Sequence, residues 1–580
     1  MGVSLTGYGG IGEIGGNAFL LEAPGLRVFL DLGKRFGATT TMKRDPVTGK
    51  KSFAAEDFSR RAGWNDYFDT FLQPRTHSAV RDQAALGLIP WEGQLPRLYR
   101  GDLGGAPGPA PVDAVLVSHA HIDHCGLLGL VRPDIAVAAS RQTLATRDSM
   151  QTTTSRGWEY DFLRVKARST YEPKDGGGFA GARYDDDTSV PHRRIDSDGR
   201  SLGTGKWSVE FFDVDHSIQG ASAFVLTDGD TKVVYTGDFR QHGLSPEKTA
   251  RFLKAAHDPD VLIMEGTNVR AGGGSHAGHG HKETDREAEV GDQIKGLIEE
   301  HDAKGGHPFV AVGYPPRDLD RLRSLHRVAV QTGRRLLVAP KQAHVLDALR
   351  GVGRDDLPDW RNDPNLGVFL RSTDRGIMDK RGSVPVADKQ TLALERIGIP
   401  FDQWADLAAR DLDGWEFEML GGRDEKVRGK RVITTPVPFG DPHVVTPDLV
   451  RADPGQYLLS LNLFTMNNLF DLFPDRSQAG GLYIHSQTQP HNDDMEQDLF
   501  RLQRWLMAFN LNAPDHVPKR THVSGHIGED DLHHIVDELK PKLLVPIHSE
   551  HPGMTRDKYL ARTGRRALLL DWGHRHDLVP

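Results

Sequence analysis

The run Asp113-Ala114-Val115-Leu116-Val117-Ser118-His119-Ala120-His121-Ile122-Asp123-His124 decides the fold. Its first five residues read as a short buried strand, and the polar remainder as the loop at the C-terminal end of that strand. Loops carried on rigid strands are where chemistry gathers. His119, His121, Asp123 and His124 are all metal-competent and fall within a single short turn of chain. A His-x-His-x-Asp-His order offers two imidazoles to one cation and a carboxylate with an imidazole to its neighbour, a donor set suited to Zn2+ or Mn2+. The chain holds 27 histidines, so any one of them alone reads better as an ordinary surface or core residue. Packed this tightly, they would crowd partly charged rings without compensation unless cations sat among them.

Composition bounds the rest. A length of 580 residues exceeds one ordinary domain. The usual scale of ~150 residues per domain suggests about four, and two large ones fit as well. Hydrophobic residues make up 38% and charged residues 26%, which predicts a folded protein with substantial cores. No run of ~20 apolar residues is present to span a bilayer. The start Met1-Gly2-Val3-Ser4-Leu5 lacks a basic region followed by an apolar signal core, so the expected location is the cytoplasm, with no membrane partner. Cys125 is the only cysteine, which excludes an internal disulfide framework and leaves nitrogen and oxygen donors to hold any metal. Placed directly after His124, it reads as a small buried residue rather than a ligand. The net charge of −8 argues against a nucleic-acid binder held by overall charge, so such binding would need local basic patches and the metals themselves.

Outside the opening run, Gly9-Gly10-Ile11-Gly12-Glu13-Ile14-Gly15-Gly16-Asn17 reads as a glycine-rich turn between two apolar runs. Leu26-Arg27-Val28-Phe29-Leu30-Asp31-Leu32-Gly33 reads as a strand ending in an acid, followed by a polar insertion at about 34–108. A second turn-rich insertion is expected at about 141–204, including Asp175-Gly176-Gly177-Gly178. Strand character returns at Trp207 to Phe212 and leads to His216, and a hairpin of Ser222 to Leu226 with Lys232 to Tyr235 runs into Asp238. Val261-Leu262-Ile263-Met264 ends in Glu265-Gly266-Thr267-Asn268. Successive apolar runs that each end in a ligand or an acid are the pattern of strand ends converging on one site. Farther on, Pro308 to Val312 and Leu336 to Val338 alternate with helical stretches from Asp318 and Gln342, as in a parallel α/β arrangement.

In this order, the motifs resemble the metallo-β-lactamase fold and, more narrowly, its β-CASP nuclease branch. Asp31 matches the family's first motif, His119, His121, Asp123 and His124 its second, His216 its third and Asp238 its fourth. The resemblance implies His119, His121 and His216 on one metal, Asp123 and His124 on the other, Asp238 bridging both, and Asp31 holding a histidine ligand in its productive tautomer. Glu265, then His526 in His522-Val523-Ser524-Gly525-His526, then His548 in Leu544-Val545-Pro546-Ile547-His548 match the three further β-CASP motifs. His548 would complete the shell of the second metal. Each of the three is expected at the end of a strand. The charged start Lys282 to Glu289 resembles the helix that follows Glu265 in this branch, whereas Gly272 to His281, with His276, His279 and His281, reads as a solvated loop.

The implied architecture is an α/β fold: an αββα sandwich of residues 1–270, with the insertions above, completed by 512–580, and an inserted parallel α/β β-CASP domain at 271–511. The implied activity is that of a metal-dependent ribonuclease, endonuclease or 5′-to-3′ exonuclease, hydrolysing phosphodiesters with a hydroxide held by two divalent cations, Zn2+ with Mn2+ as the alternative. Asp238 and Asp123 serve the metals, His526 contacts the scissile phosphate or protonates the leaving oxygen, Glu265 positions His526, and His522, Ser524 and Gly525 lie near the phosphate. Histidine at the position of His548 resembles the RNA-processing members, so single-stranded RNA is favoured over DNA as partner, and a homodimer is compatible with the resemblance. Lys426, Arg428, Lys430, Arg431, Arg317, Arg321 and Arg323 are basic residues that could grip a backbone, although such runs are more often solvated faces. The motifs around Glu265 and His526 most resemble ribonuclease J, as a divergent relative without the usual C-terminal domain. A nuclease for single-stranded DNA, a small-molecule hydrolase acting on an ester, lactam or thioester, and a binding protein without chemistry are the rival readings.

Overall fold

The computed structural model describes residues 2–37, 42–44, 51–53, 61–68, 72–75, 78–154, 161–171, 181–191, 193–196, 201–269, 286–370, 414–419, 423–427, 430–434, 442–488, 490, 493–513 and 521–579. The histidine-bearing segment 272–281, residues 282–285, the turn 175–178 and Arg428 lie outside these residues. The chain divides into two compact units, one of 1–286, 491–493 and 524–580, the other of 287–490 and 494–523. Residues 512, 513 and 521–523 fall in the second unit.

The first unit is built on two seven-stranded sheets. One runs in the order Arg193–Asp196, Ala136–Ala139, Ala114–Leu116, Leu26–Leu32, Ala18–Ala23, Val3–Gly7 and Arg575–Val579. The other runs Ser201–Thr204, Trp207–Asp213, Ser222–Thr227, Lys232–Tyr235, Val261–Glu265, Leu543–Ile547 and Arg566–Ala567. Side-chain alternation sorts each strand between two cores. Val261 and Ile263 join Leu5, Leu30 and Leu116 in the cluster between the sheets. Leu262 and Met264 face outward, onto Phe252, Ile535 and Leu539 of the helices Pro246–Ala255 and Glu529–Leu539. On the other side Val115 and Val137 pack against the layer that carries Leu98, Leu127 and Leu130. With both faces covered, these strands read as continuous apolar runs rather than alternating ones. This is the αββα arrangement expected from the motifs.

Part of what reads as insertion belongs to this framework. Segment 141–204 supplies the helix Arg141–Thr152 and, in Arg193–Asp196 and Ser201–Thr204, one edge strand for each sheet. Its polar, turn-rich composition hides these strands because edge strands carry few apolar residues.

The second unit holds a seven-stranded sheet in the order Val444–Val445, Leu366–Phe369, Arg335–Val338, Tyr457–Ser460, Val310–Gly313, Gly481–His485 and Leu511–Asn512, with every neighbouring pair parallel. The helices Leu319–Gln331 and Pro340–Arg350 connect its strands. Asp318 caps the first of them, its carboxylate accepting from the Arg321 backbone N–H at 2.9 Å. Leu319, Leu322, Leu325 and Val328 form the buried face of that helix, at the helical spacing.

Arg321 corrects one expectation from the sequence. It is fully buried, its Nε and Nη2 lie 2.8 and 3.0 Å from the two carboxylate oxygens of Glu287, and its Nη1 donates to the Thr521 carbonyl at 3.0 Å. It grips its own fold and cannot serve a nucleic-acid backbone. Among the described residues no helix is long and apolar enough to cross a membrane.

Truncating one partner of a buried ion pair leaves the other charge without compensation, at a cost of ~3–5 kcal/mol. Arg321→Ala should therefore lower the urea midpoint of the second unit by a corresponding amount, while Arg323→Ala, at a half-buried residue whose ion pair with Asp356 is solvent-screened, costs at most ~1 kcal/mol. Equal midpoints for the two variants would contradict this assignment.

Candidate metal centre

The site forms where the C-terminal ends of strands meet. Ala114–Leu116 runs into His119 and His121, and the helical turn Ile122–Cys125 presents Asp123 and His124. His216 follows Trp207–Asp213, Asp238 follows Lys232–Tyr235, Glu265 is the last residue of Val261–Glu265, and His548 follows Leu543–Ile547. His526 departs from the expected pattern. It sits on a loop before the helix Glu529–Leu539, not at a strand end.

These residues gather into three overlapping sets whose donor atoms lie within 4.8 Å of one another: His119, His121 and His216; Asp123, His124, Asp238 and His548; and Asp238, Glu265, His526 and His548. In the first, His119 Nε2 and His216 Nε2 lie 3.0 and 3.3 Å from His121 Nδ1. Around a tetrahedral cation with ~2.0–2.1 Å bonds to nitrogen, donor atoms sit about 3.4 Å apart, so this spacing matches a shared ligand shell. In the second, Asp123 Oδ2 lies 3.6 Å from His124 Nε2 and 3.4 Å from His548 Nε2. Asp238 Oδ2 reaches both sets, at 3.6 Å from His119 Nε2, 3.0 Å from His124 Nε2 and 3.8 Å from His548 Nε2. His121, Asp123 and His526 are partly open to solvent, whereas the other members are buried.

Oxygen atoms behind the rings assign their tautomers. His124 Nδ1 donates to Asp31 Oδ2 at 2.7 Å, and His216 Nδ1 donates to the Gly525 carbonyl at 2.6 Å. His119 Nδ1 is 3.0 Å from Ser118 Oγ, and His548 Nδ1 is 2.8 Å from Thr267 Oγ1. Each of these rings keeps Nε2 for the site. His121 is the exception and presents Nδ1.

Asp31 is the anchor of this network. Where Ala18–Ala23 pairs with Leu26–Leu32, the register passes from Leu30 to Leu32, so Asp31 is the extra residue of a β-bulge, at φ 58°. Such a bulge re-aims a side chain. The Asp31 carboxylate accepts from Ser118 N at 2.6 Å, Ser118 Oγ at 2.7 Å and Tyr235 OH at 2.6 Å, besides His124. The glycine-rich turn has a related use. The Asn17 N–H donates to the Asp123 carbonyl at 2.9 Å and the His548 N–H donates to the Gly10 carbonyl at 2.8 Å. A Cβ on Gly33 would stand 1.6 Å from the Asp123 carbonyl oxygen, so no larger residue fits there.

The electrostatics fit cations. Burial, reinforced by neighbouring imidazoles, holds His119 and His216 well below the usual histidine value, so both are neutral donors. Burial also acts on His124, but the carboxylates of Asp238, Asp123 and Asp31 outweigh it and push its pKa well above the usual value. Asp123 and Asp238 are conversely held low: burial opposes this, and the facing His124 and His548 prevail. Asp238 Oδ1 is buried with no hydrogen-bond partner among the described residues. An orphaned carboxylate oxygen among crowded imidazoles is a donor set for divalent cations, and the residues present suit that group.

Beside these donors, Glu265 and His526 form a pair. Glu265 Oε2 lies 3.1 Å from His526 Nδ1, and the same carboxylate accepts from Phe239 N at 3.0 Å and Thr267 Oγ1 at 2.6 Å. Burial would lower the His526 pKa, yet Glu265 and Asp238 raise it to about 9. Ser524 ties the loop together: its Oγ accepts from Asn268 Nδ2 and from His526 N, both at 3.2 Å, and its carbonyl accepts from Arg240 Nη1 at 3.1 Å. Gly525 enters through its carbonyl on His216. His522 falls in the second compact unit. Cys125 is buried and its thiol, raised to about 11 by burial, donates to the His121 carbonyl.

Thr267, Tyr235, Asn17 and Ser118 escape a reading of the sequence. Thr267 stands two residues after Glu265 and Asn17 closes the glycine-rich turn, but neither residue type signals a ligand-holding role by itself.

Asp31→Asn would set an amide N–H against a donor in either orientation, at Ser118 N or at the Ser118, His124 and Tyr235 cluster. Affinity for a cation at the Asp123, His124, Asp238 and His548 set should fall about 10–100-fold, the usual loss for such outer partners. Metal analysis after dialysis against graded chelator, with the circular dichroism melt as a fold control, reads this; unchanged retention would refute it.

Comparison with known proteins agrees with this fold. Residues 91–295 match the Beta-lactamase superfamily domain. Ribonuclease J of Mycobacterium tuberculosis is 24% identical over 338 residues, covering 55% of this chain and 50% of the relative, and ribonuclease J of Mycolicibacterium smegmatis is 26% identical over 328 residues with the same coverage. The chain spans about half the length of these curated relatives. A crystal structure of a protein of unknown function from Enterococcus faecalis V583 shares the fold at a TM-score of 0.59 and 18% identity, covering 100% of both chains. The chain is accordingly a protein of the metallo-β-lactamase fold, distantly related to ribonuclease J over about half its length.

Proposed function

We propose that the chain is a metal-dependent ribonuclease that hydrolyses phosphodiesters in single-stranded RNA, by endonucleolytic or 5′-to-3′ exonucleolytic cleavage. One observation carries this reading: the His526–Glu265 pair stands beside the metal-type donor sets, with His526 Nδ1 3.7 Å from Asp238 Oδ2. A phosphodiester has an alkoxide leaving group that benefits from a proton donor beside the metals. The names of the curated relatives support the same substrate class.

His119, His121 and His216 would hold one cation, Asp123, His124 and His548 the other, and Asp238 both; Zn2+ suits this nitrogen-rich set, with Mn2+ the alternative. When bound, two such cations supply Lewis-acid stabilisation of charge on phosphoryl oxygens and activate water near neutral pH. Asp31, Gly525, Ser118 and Thr267 keep the imidazole lone pairs directed inward. Glu265 engages Nδ1 of His526 and leaves Nε2 as the nitrogen available to the substrate. As a water oxygen bonds to phosphorus and the water's proton passes to solvent, the bond from phosphorus to the 3′ oxygen breaks, and His526 gives that oxygen its proton. The products are a 5′-phosphate and a 3′-hydroxyl.

The test uses purified protein loaded with Zn2+ or Mn2+ on RNA, single-stranded DNA and a chromogenic ester. RNA should be cleaved, Asp123→Asn should abolish cleavage, and His526→Ala should lower kcat by about 10²–10⁴ with KM little changed. Wild type that leaves both nucleic acids intact with every metal would defeat the nuclease reading, and turnover of the ester alone would favour a small-molecule hydrolase. Faster degradation of 5′-monophosphate than of 5′-triphosphate RNA is the expected sign of the exonucleolytic mode.

A further inference from the structure

His526 rides on the loop that leads into the helix Glu529–Leu539, and a loop by itself does not hold a ring to the tolerance that proton transfer needs. What holds this one is the turn that leaves the strand Val261–Glu265. Glu265 takes the ring, with its Oε2 3.1 Å from His526 Nδ1. Asn268, three residues on, takes the main chain. Its Nδ2 donates to the His526 carbonyl at 3.1 Å, to the Ile527 carbonyl at 2.9 Å and to Ser524 Oγ at 3.2 Å. Two carbonyl oxygens beside one end of the amide assign the nitrogen to that end, because an amide oxygen there would face two acceptors. Ser524 Oγ in turn accepts from the His526 N–H at 3.2 Å. Asn268 therefore engages the main chain on both sides of His526, its carbonyl directly and its N–H through the serine.

The turn that carries Asn268 is itself fixed. The Val269 N–H donates to the Gly266 carbonyl at 3.1 Å, and Thr267 Oγ1 donates to Glu265 Oε2 at 2.6 Å. Ring and main chain of His526 are thus both tied to one strand end. A second grip comes from the residues that follow Asp238: the Ser524 carbonyl accepts from His242 Nε2 at 2.8 Å and from Arg240 Nη1 at 3.1 Å. That grip is on Ser524, two residues before His526, whereas Asn268 holds His526 and Ile527. Asn268 belongs to none of the three donor sets, so its contribution separates from that of the metal-type ligands.

We propose that Asn268 is the positioning residue of His526: it clamps the main chain at 524–527 so that the ring, turned by Glu265, presents Nε2 at one fixed place. The kinetic consequence rests on the ribonuclease reading, and the structural consequence on the hydrogen bonds.

Two variants test this in the full chain. Asn268→Asp keeps the shape of the side chain but sets an oxygen against the two carbonyls, and Asn268→Ala removes the side chain. Hydrogen–deuterium exchange without added metal reads the clamp: the amides of 524–528 should exchange about tenfold faster in both variants, the equivalent of one or two lost hydrogen bonds, while the strand Val261–Glu265 stays protected. On RNA, kcat should fall about 10–100-fold, the effect of displacing a reacting group by a fraction of its length, with KM and bound metal unchanged. On a phosphodiester with a p-nitrophenolate leaving group, which departs without a proton, both variants should stay within about twofold of wild type. His526→Ala combined with Asn268→Asp should be no slower on RNA than His526→Ala, because the two residues act as one unit. Unchanged exchange at 524–528 overturns the proposal whatever the protein cleaves. Equal losses on both substrates, or a double variant slower than His526→Ala, would give Asn268 a general structural role and overturn it as well. A wild type that cleaves no nucleic acid defeats the ribonuclease reading, and the exchange result then decides on the clamp.

Discussion

Four donors converge on the carboxylate of Asp31: Ser118 N, Ser118 Oγ, His124 Nδ1 and Tyr235 OH. The rest of the first unit is arranged around that convergence. Asp31 belongs to one sheet and Tyr235 to the other, so the contact joins both layers of the sandwich at the point where the metal-type donors begin. The left-handed backbone at Asp31 costs ~1–3 kcal/mol, and it persists because the bulge and the four hydrogen bonds over-determine it. Burial and the Asp31 carboxylate push the Tyr235 hydroxyl well above its ordinary pKa, which keeps it a donor.

The same principle repeats around the site with different chemistry. Four of the inward-facing imidazoles are fixed by an oxygen on the far nitrogen: a carboxylate for His124, a backbone carbonyl for His216, hydroxyls for His119 and His548. Thr267 joins two functions, since its hydroxyl donates to Glu265 while accepting from His548. The Glu265–His526 pair and the second donor set thereby share one hinge of hydrogen bonds. His548, like Asp31, has a left-handed backbone, at φ 50°, immediately after its strand. Both residues turn the chain sharply where a side chain must be aimed.

The second unit owes its stability to different means. Its parallel sheet is buried on both faces, and its one fully buried guanidinium among the expected basic residues, Arg321, is consumed by Glu287 and by backbone carbonyls. In the sequence, Arg321 stands in a run of arginines that reads as a basic face, and only burial distinguishes a structural cation from one available to a ligand. The position of Glu287, far upstream on another helix, gives no sequence signal of the pairing.

The donors and the layer pattern are legible in the order of residues. His119, His121, Asp123 and His124 are close in the chain, and His216, Asp238, Glu265 and His548 each end or follow an apolar run, so short-range spacing and strand periodicity are enough to mark them. Folding in three dimensions settles the rest: which nitrogen each ring presents, that Gly525 acts through its carbonyl, that Thr267 and Tyr235 belong to the site, that His526 rides on a loop, and that segment 141–204 lends an edge strand to each sheet. The physical reason is range. Ligand identity and alternation are written in neighbouring residues, whereas tautomers, hydrogen-bond hubs and buried ion pairs depend on partners brought together from across the chain, as with Asp31 and Tyr235 or His216 and Gly525.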